Sequence, residues 1–519
     1  MRRLGGGGFR SYLGRSRPLA DEKSAEVIVA TKEPGAGRCP FKLRNRNPLR
    51  KRRTEPNQMN RPDPTTTTTK PKGEVRHGDG GREEKESSCD DLLEQILDRD
   101  NLSAAWKRVK GNSGAAGIDG LEIADFRAHL AAHWGTIRRK LVAGTYRPSP
   151  VRRVEIPKPD GTKRPLGIPT VLDRVIQQAI AQILSSICEP TFSESSHGFR
   201  PARSAHDAIR AVQQNSKAER RKWVVDCDLK AFFDTVNHDV LMKRLRQRIK
   251  DKRVLSLIGK YLRSGVMLSS GRYEPTRSGV PQGGPLSPLL ANILLDDLDC
   301  QLEKRGHSFA RYADDFVILC RSPRASTRIL ESVKRFVERR LKLVVNLTKS
   351  KVCEIKDAMF LGFTIVKNRI KWSEKSRDKF EARLRAITKR TRGVSPRTVM
   401  ADLQQYVRGA VNYFAPGITY AESRELDGWL RRRVRLYYWK QWQRPRTRRR
   451  KLISLGIGRD EVKLASRSRK GPWRMSHNSI LQRAPTNEWL AQPGVPSIAN
   501  QWINIRYPDG PAKGPSANP

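Results

Sequence analysis

The first ninety residues show no regular alternation of apolar and polar positions. "GGGG", "TTTTT", frequent Pro and a basic cluster from Arg50 to Arg53 leave too little apolar surface to offset the entropy of ordering, so a disordered basic extension is expected over 1–90. Periodicity begins near Asp91, where Leu92, Leu93, Ile96 and Leu97 fall at helical spacing before the Gly-rich turn "NSGAAGIDG". Helical and short strand patterns then alternate irregularly to about Lys371, an order that predicts an α+β fold rather than a doubly wound sheet. In "KWVVDCDLKAFFDTVNHDVL" a β-rich run turns helical near His238. In "FARYADDFVILC", from Phe309 to Cys320, apolar residues flank Asp314 and Asp315, the pattern of two strands joined by a tight turn with the acidic pair at its tip. From about Ser376 to Gln443 the period is helical, and the third segment carries Leu426, Leu430, Val434 and Tyr437 on one face. The tail beyond holds Trp473, Trp489 and Trp502, aromatic bulk for a small packed module.

Composition turns this pattern toward a partner. The 519 residues, 37% of them apolar, can bury a core in several subdomains. A net charge of +50, from 103 Lys and Arg against 53 Asp and Glu, repels itself until a polyanion neutralises it, which indicates nucleic acid. No apolar run reaches the roughly 20 residues of a bilayer span. The amino terminus "MRRLGGGGFRSYLG" lacks the apolar core of a signal peptide, so a bacterial-type cytoplasmic location without membrane contact is expected. Seven scattered cysteines without a C-x-x-C pair read as reduced thiols rather than disulfides or structural zinc. His129 and His133 sit four apart on one helix without a third ligand and read as ordinary helix residues.

The acidic residues carry the chemistry. The segment around 226–234 supplies Asp226, Asp228 and Asp234, and if Asp228 ends a strand beside the 314/315 hairpin, three carboxylates converge. Like charges that close require a counter-cation. Hard oxygen ligands with open positions suit Mg²⁺, which takes its remaining ligands from water and substrate phosphates. Two such ions about 4 Å apart activate an attacking hydroxyl and stabilise a leaving pyrophosphate, which is nucleotidyl transfer.

Several blocks resemble the ordered motifs of the group II intron-encoded reverse transcriptase/maturase family: "IPKPDGTKRPLGIPTVLDRVIQQAI", "SHGFRPARSAHDAI", "DLKAFFD", "SGVPQGGPLSPLLANILLDDLD", "YADD", "LKLVVNLTKSKV", "FLGF" and "LQQYVRGAVNYF". They run in family order over more than three hundred residues, from "NLSAAWKRVKGNSGAAGIDG" at 101–120 onward. The resemblance implies a right-hand polymerase: fingers with an N-terminal extension over 91–225, palm over 226–374, a helical thumb and maturase domain over 375–445, and a basic RNA- or DNA-binding module over 446–519. Carried to matching positions, Asp228 and Asp314 bridge two Mg²⁺ ions, with Mn²⁺ as a substitute, Asp315 completes the acidic cluster, and the Leu229 carbonyl is a further ligand. Phe233 becomes the steric gate that excludes a 2′-hydroxyl, although alone it reads as a buried aromatic. Gln282 in "PQGG" contacts the incoming nucleotide or template. Lys158, Lys163 and Arg164, on a hairpin around Asp160–Gly161, neutralise the triphosphate; alone, Lys163 reads equally as a solvated turn lysine. Arg200 and Arg203 become template-backbone contacts, and Lys349 supports the primer end or the palm. His197 stands where the family often has Tyr.

Residues 431–451 hold eleven Lys or Arg and no acidic residue, interleaved with Tyr437, Tyr438, Trp439 and Trp442. Cations that release counterions and rings that stack on bases suit RNA, so Arg431, Arg432, Arg433, Arg435, Arg448, Arg449 and Arg450 are expected RNA contacts. The resemblance implies as partners an RNA template, group II intron RNA, a DNA or RNA primer and deoxynucleotides; a homodimer is left open. With no cysteine after Cys353 and only His477 in the last two hundred residues, the Cys/His-bearing endonuclease of many relatives is expected to be absent. Two rival readings keep the blocks but change the function: a binding-only maturase with vestigial polymerisation, and an intron-free reverse transcriptase serving DNA repair or phage defence.

Overall fold

A computed structural model describes residues 91–157, 161, 163–218 and 220–508. The expectations for 1–90 and for Lys158 lie outside these residues. The described residues open with the helices Leu92–Ile96 and Arg99–Gly111; Leu92, Leu93, Ile96 and Leu97 are all buried. Strand β1 (Val151–Pro157) pairs antiparallel with β2 (Lys163–Ile168), and short strands β4 (Val266–Met267) and β5 (Tyr273–Glu274) extend this fingers sheet in the order β2-β1-β4-β5.

The second sheet is antiparallel, in the order β6-β7-β3-β8, from β3 (Trp223–Cys227), β6 (Ser308–Tyr312), β7 (Asp315–Cys320) and β8 (Lys351–Glu354). Its pleat sends alternate side chains into two cores. Val225, Cys227, Phe309, Phe316 and Ile318 join one core with helix α1 (Val171–Cys188), and Val224, Ala310, Val317 and Leu319 join a second with helix α2 (Ala205–Ala218) and the carboxy-terminal helices. The sheet is thus a shared wall, which explains its run of apolar residues on both faces. The expected division at 225/226 falls inside β3. Helix α3 (Ser287–Lys304) covers the first face and is buried on most sides.

Beyond the hairpin β9 (Phe363–Val366) and β10 (Arg369–Trp372), three helices form the thumb: α4 (Glu374–Ile387), α5 (Pro396–Phe414) and α6 (Tyr420–Gln441). Each starts where its sequence supplies a cap. Ser373 and Ser395 accept the backbone N–H of Ser376 and Thr398, and Thr419 forms a capping box with Glu422. The predicted face of α6 is buried at Leu426, Leu430, Val434 and Tyr437.

The tail divides between two places. Helix α7 (Pro445–Ser454) and the Arg459–Arg467 helix pack with Trp439 of α6 and Trp442 just beyond it around Leu452, Val462 and Met475. The last helix, α8 (Ile498–Arg506), returns to the thumb core, where Asp427 accepts the backbone N–H of Ile498 at 2.6 Å and the Ser497 hydroxyl at 2.8 Å. Trp502 closes this contact by donating its indole N–H to the Ile418 carbonyl. Of the described tail residues, 452–484 thus share a small core with Trp439 and Trp442, α8 joins the thumb core, and Trp473, 45% exposed, belongs to neither.

Candidate active site

The β3–β7 register pairs Asp226 with Val317 and Cys227 with Phe316. Asp228 and Asp315 adjoin the last pair of this ladder, and continuing the pleat by one residue would put both on the face of Asp226, Val317 and Leu319, the thumb side of the sheet. Asp314 lies next to it in the two-residue turn between Tyr312 and Asp315, where Ala313 takes a left-handed φ of 57°. The tip is pressed from behind by Gly198, at which a Cβ would stand 2.2 Å from the Ala313 nitrogen. That approach requires glycine.

Asp228 is fixed by the loop before β8. Its carbonyl accepts the Asn346 N–H at 2.8 Å, its N–H donates to the Ser350 hydroxyl at 3.0 Å, and its carboxylate accepts from Asn346 Nδ2 at 2.9 Å. Lys349 Nζ stands 3.8 Å from the same carboxylate. Burial pushes the Asp226 carboxyl up to about 6; Lys351 pulls it down, and the negative charges of Asp315 and Asp228 add to the rise. The backbone thus gathers four aspartates at one end of the sheet. Their side chains do not close on a common point: Asp314 is only 1% exposed, and among the described residues no three His, Cys, Asp or Glu side chains group tightly enough to hold a metal ion. The donors are all hard oxygens, a set that fits magnesium in kind.

One positioning group escapes sequence reading. Arg311, fully buried, points from β6 into the opposite core. Its Nε donates to Asp299 Oδ1 at 2.8 Å, Nη1 donates to Asn292 Oδ1 at 2.9 Å and the Ala313 carbonyl at 3.0 Å, and Nη2 donates to Ser196 Oγ at 2.7 Å and also meets Asp299. Asn292 in turn donates to the Gly198 carbonyl at 2.8 Å. A charge inside a strand pattern ordinarily reads as solvent-facing. The available signal is Asn292, Asp296 and Asp299 on one stripe of a helix whose other residues from Leu289 to Leu295 are apolar.

Beside the acidic end, Phe233 and Phe232 lie in a short helix, Phe232–Thr235, with rings 5.1 Å apart edge to face. Phe233 is 8% exposed. The "PQGG" loop docks between this helix and β2: Val280 donates its N–H to the Phe233 carbonyl at 2.6 Å, and Gly167 donates to the Gln282 carbonyl at 2.8 Å. At Gly283, with φ 119°, a Cβ would stand 2.6 Å from the Gly167 carbonyl, so both conformation and contact demand glycine. Arg164 Nε donates to Gln282 Oε1 at 2.8 Å, and Gln282 Nε2 donates to Asp234 Oδ1 at 3.2 Å. Lys163 pairs with Glu155 at 2.8 Å, both well exposed.

The expected nucleic-acid arginines sort into two kinds. Arg200 is turned inward, binding Glu189 at 2.8 Å and the Ser196 carbonyl at 2.9 Å, so it is a structural group and not a template contact in this conformation. Arg203 is tied to Glu194. On α6, Arg431 binds Asp427, Arg433 donates to Thr388, and Arg435 is buried against Pro485 and Asn487. Arg431 thus pairs within its own helix, Arg433 joins two thumb helices and Arg435 ties the thumb to the tail, whereas Arg432 stays half-buried. On α7, Arg448 lies 4.3 Å over the Trp439 ring. Arg446, Arg449, Arg450 and Lys451 remain exposed. The basic surface therefore comes from α7 more than from α6. His129 and His133 stack at 4.4 Å on one helix.

An antiparallel palm with acidic residues at one end, a fingers hairpin over it and a three-helix thumb define a right-hand polymerase. Residues 156–365 match the reverse transcriptase (RNA-dependent DNA polymerase) family model, and residues 377–454 match the group II intron maturase-specific domain. Protein YkfC of Escherichia coli (strain K12) is 35% identical over 323 residues, covering 54% of this chain and 84% of that protein. Group II intron-encoded protein LtrA of Lactococcus lactis subsp. cremoris is 48% identical over 164 residues, 31% of this chain and 27% of LtrA. The "Uncharacterized 91 kDa protein in cob intron" of Schizosaccharomyces pombe is 37% identical over 214 residues, 41% of this chain and 26% of that protein. The aligned stretches thus span most of YkfC and about a quarter of the other two. The chain belongs to the group II intron-encoded reverse transcriptase/maturase family. Among the described residues no helix is long and apolar enough to cross a membrane.

Proposed function

We propose that the protein is a magnesium-dependent RNA-directed DNA polymerase that extends a DNA or RNA primer with deoxynucleotides on an RNA template, and that it also binds intron RNA and assists its splicing. The observation that carries the polymerase reading is the β3–β7 ladder, which ends at the Cys227–Phe316 pair with Asp228 and Asp315 as the adjoining residues and Asp314 in the turn beside them. Carboxylates at that spacing repel and favour a bound divalent cation. A pair of magnesium ions bound there supplies an activated primer hydroxyl and neutralises the leaving pyrophosphate.

Asp228 and Asp314 would hold both ions, with Asp314 turning outward from its buried position, and Asp315 would complete the charge. The Leu229 carbonyl is a further donor. In the Leu229–Val345 bridge the hydrogen bonds run through Lys230 and Asn346, so the Leu229 carbonyl points away from Val345, toward the β7 side. Phe233 would lie against the sugar and exclude a 2′-hydroxyl. Arg164 and Gln282 would meet the nucleotide, with Lys158 and Lys163 nearby. Lys349, beside Asp228, would offer its ammonium to the primer end. The exposed cations of α7 and Arg432 would contact RNA phosphates.

Primer extension on poly(rA)/oligo(dT) with Mg²⁺ tests the reading. Wild-type protein adds nucleotides and Asp314→Ala does not; an inert wild type would leave only the RNA-binding reading. Flanking DNA that folds into a group II ribozyme supports the splicing role, and its absence favours the intron-free alternative.

A further inference from the structure

We propose that Asp234 is a positioning residue for the incoming nucleotide: its carboxylate fixes the polarity of the Gln282 amide and, through it, holds Arg164 over the nucleotide cleft. This rests on reading that cleft as the nucleotide site. The Gln282 amide lies between opposite charges, accepting from Arg164 Nε at 2.8 Å and donating to Asp234 Oδ1 at 3.2 Å. The reversed amide would set its NH₂ against a guanidinium, which only donates, and its oxygen against a carboxylate, which only accepts. Both hydrogen bonds would be lost, so the two charges admit one orientation.

The loop backbone is held by other means. Gly167 donates to the Gln282 carbonyl, Val280 donates to the Phe233 carbonyl, and Gly279 has no room for a Cβ against the carbonyls of Phe233 and Asp234. Removing the Asp234 side chain therefore frees the amide without moving the loop. The carboxylate is exposed and six residues past Asp228, at the far end of the short helix that carries Phe233. It acts on binding through Gln282 rather than on the reacting atoms.

The test is primer extension on poly(rA)/oligo(dT) at varied dTTP, with template–primer affinity and melting temperature measured alongside. Asp234→Ala raises KM for dTTP about tenfold, with kcat within about twofold of wild type. Asp234→Asn, which keeps an acceptor for Gln282 Nε2, recovers most of that loss. In a Gln282→Ala background, Asp234→Ala adds nothing. Additive losses in the double variant overturn the proposal, as does a fall in kcat at unchanged KM. An inert wild type would overturn the polymerase reading as well; additive losses in an active enzyme overturn this proposal alone.

Discussion

Replacing Arg311 by Met tests how the catalytic hairpin is held. The change keeps roughly the volume and removes every donor. Asp299, fully buried, then loses its hydrogen-bonded counter-charge and keeps only the weaker pull of Arg200, and burial already pushes its carboxyl upward against the pull of Arg311. Unpaired buried charges of this kind cost about 3–5 kcal/mol. Protonation sets a ceiling. From the ordinary value of 3.8, neutralising the carboxyl costs about 4 kcal/mol at pH 7 and about 1.6 kcal/mol at pH 5. The sign follows from linkage: the variant's folded state binds a proton the unfolded state releases, so its deficit grows as pH rises above 3.8. Urea unfolding followed by Trp fluorescence at both pH values reads the difference. Arg311→Met/Asp299→Leu should regain most of the stability, since an apolar pair can replace a buried ion pair. It does not regain the hold on the Ala313 carbonyl, so primer extension stays at least about tenfold slow. A deficit below about 1 kcal/mol at pH 7, a deficit that does not shrink at pH 5, or a double variant of wild-type speed would refute the reasoning.

Other expectations follow from the same contacts. His197, 4% exposed with both ring nitrogens lacking a hydrogen-bond partner, is pushed down to about 4 by burial and then by Arg203. Its contribution is lost as pH falls from about 6.5, amounting to about 2 kcal/mol between pH 7 and pH 5, and His197→Phe should remove that part of the acid sensitivity in unfolding titrations. Gly198→Ala forces a Cβ to 2.2 Å from the Ala313 nitrogen, so it should cost about 2 kcal/mol by the same unfolding assay and slow primer extension at least tenfold, about the effect of a misplaced hairpin. Phe233→Val should lower the preference for dTTP over UTP by about tenfold or more, measured as the ratio of kcat/KM. Neutralising Arg446, Arg449 and Arg450 together should reduce the salt slope of RNA binding by about 2, while leaving poly(rA)/oligo(dT) extension at low salt near wild type.

Local patterning made much of this legible. Apolar residues on both sides of Asp314 and Asp315 predicted the β6–β7 hairpin, and it is there, with Asp314 in the turn and Asp315 opening β7. The thumb helices followed from their period. What local pattern does not carry is the partner of a charge. Arg200 and Arg435 look like their neighbours in sequence, yet Glu189 and the Pro485 carbonyl draw them inside. The resemblance assigned Lys349 to the primer end or the palm, but only the fold brings it beside Asp228, and nothing in the local pattern pairs Arg311 with Asp299 of α3. Trp502, counted in sequence toward a small tail module, donates its indole N–H to the Ile418 carbonyl and joins the thumb core, a partner that local pattern does not reveal.

The central claim is that carboxylates at the ends of β3 and β7 hold a pair of divalent ions at the primer terminus. The most direct test counts Mn²⁺ by electron paramagnetic resonance in a complex of the protein with template, a chain-terminated primer and deoxynucleotide. The account predicts two protein-dependent ions per chain, and loss of at least one in Asp314→Asn with template–primer still bound. Ion binding no greater than nucleotide alone provides, or a count unchanged by that substitution, would contradict it.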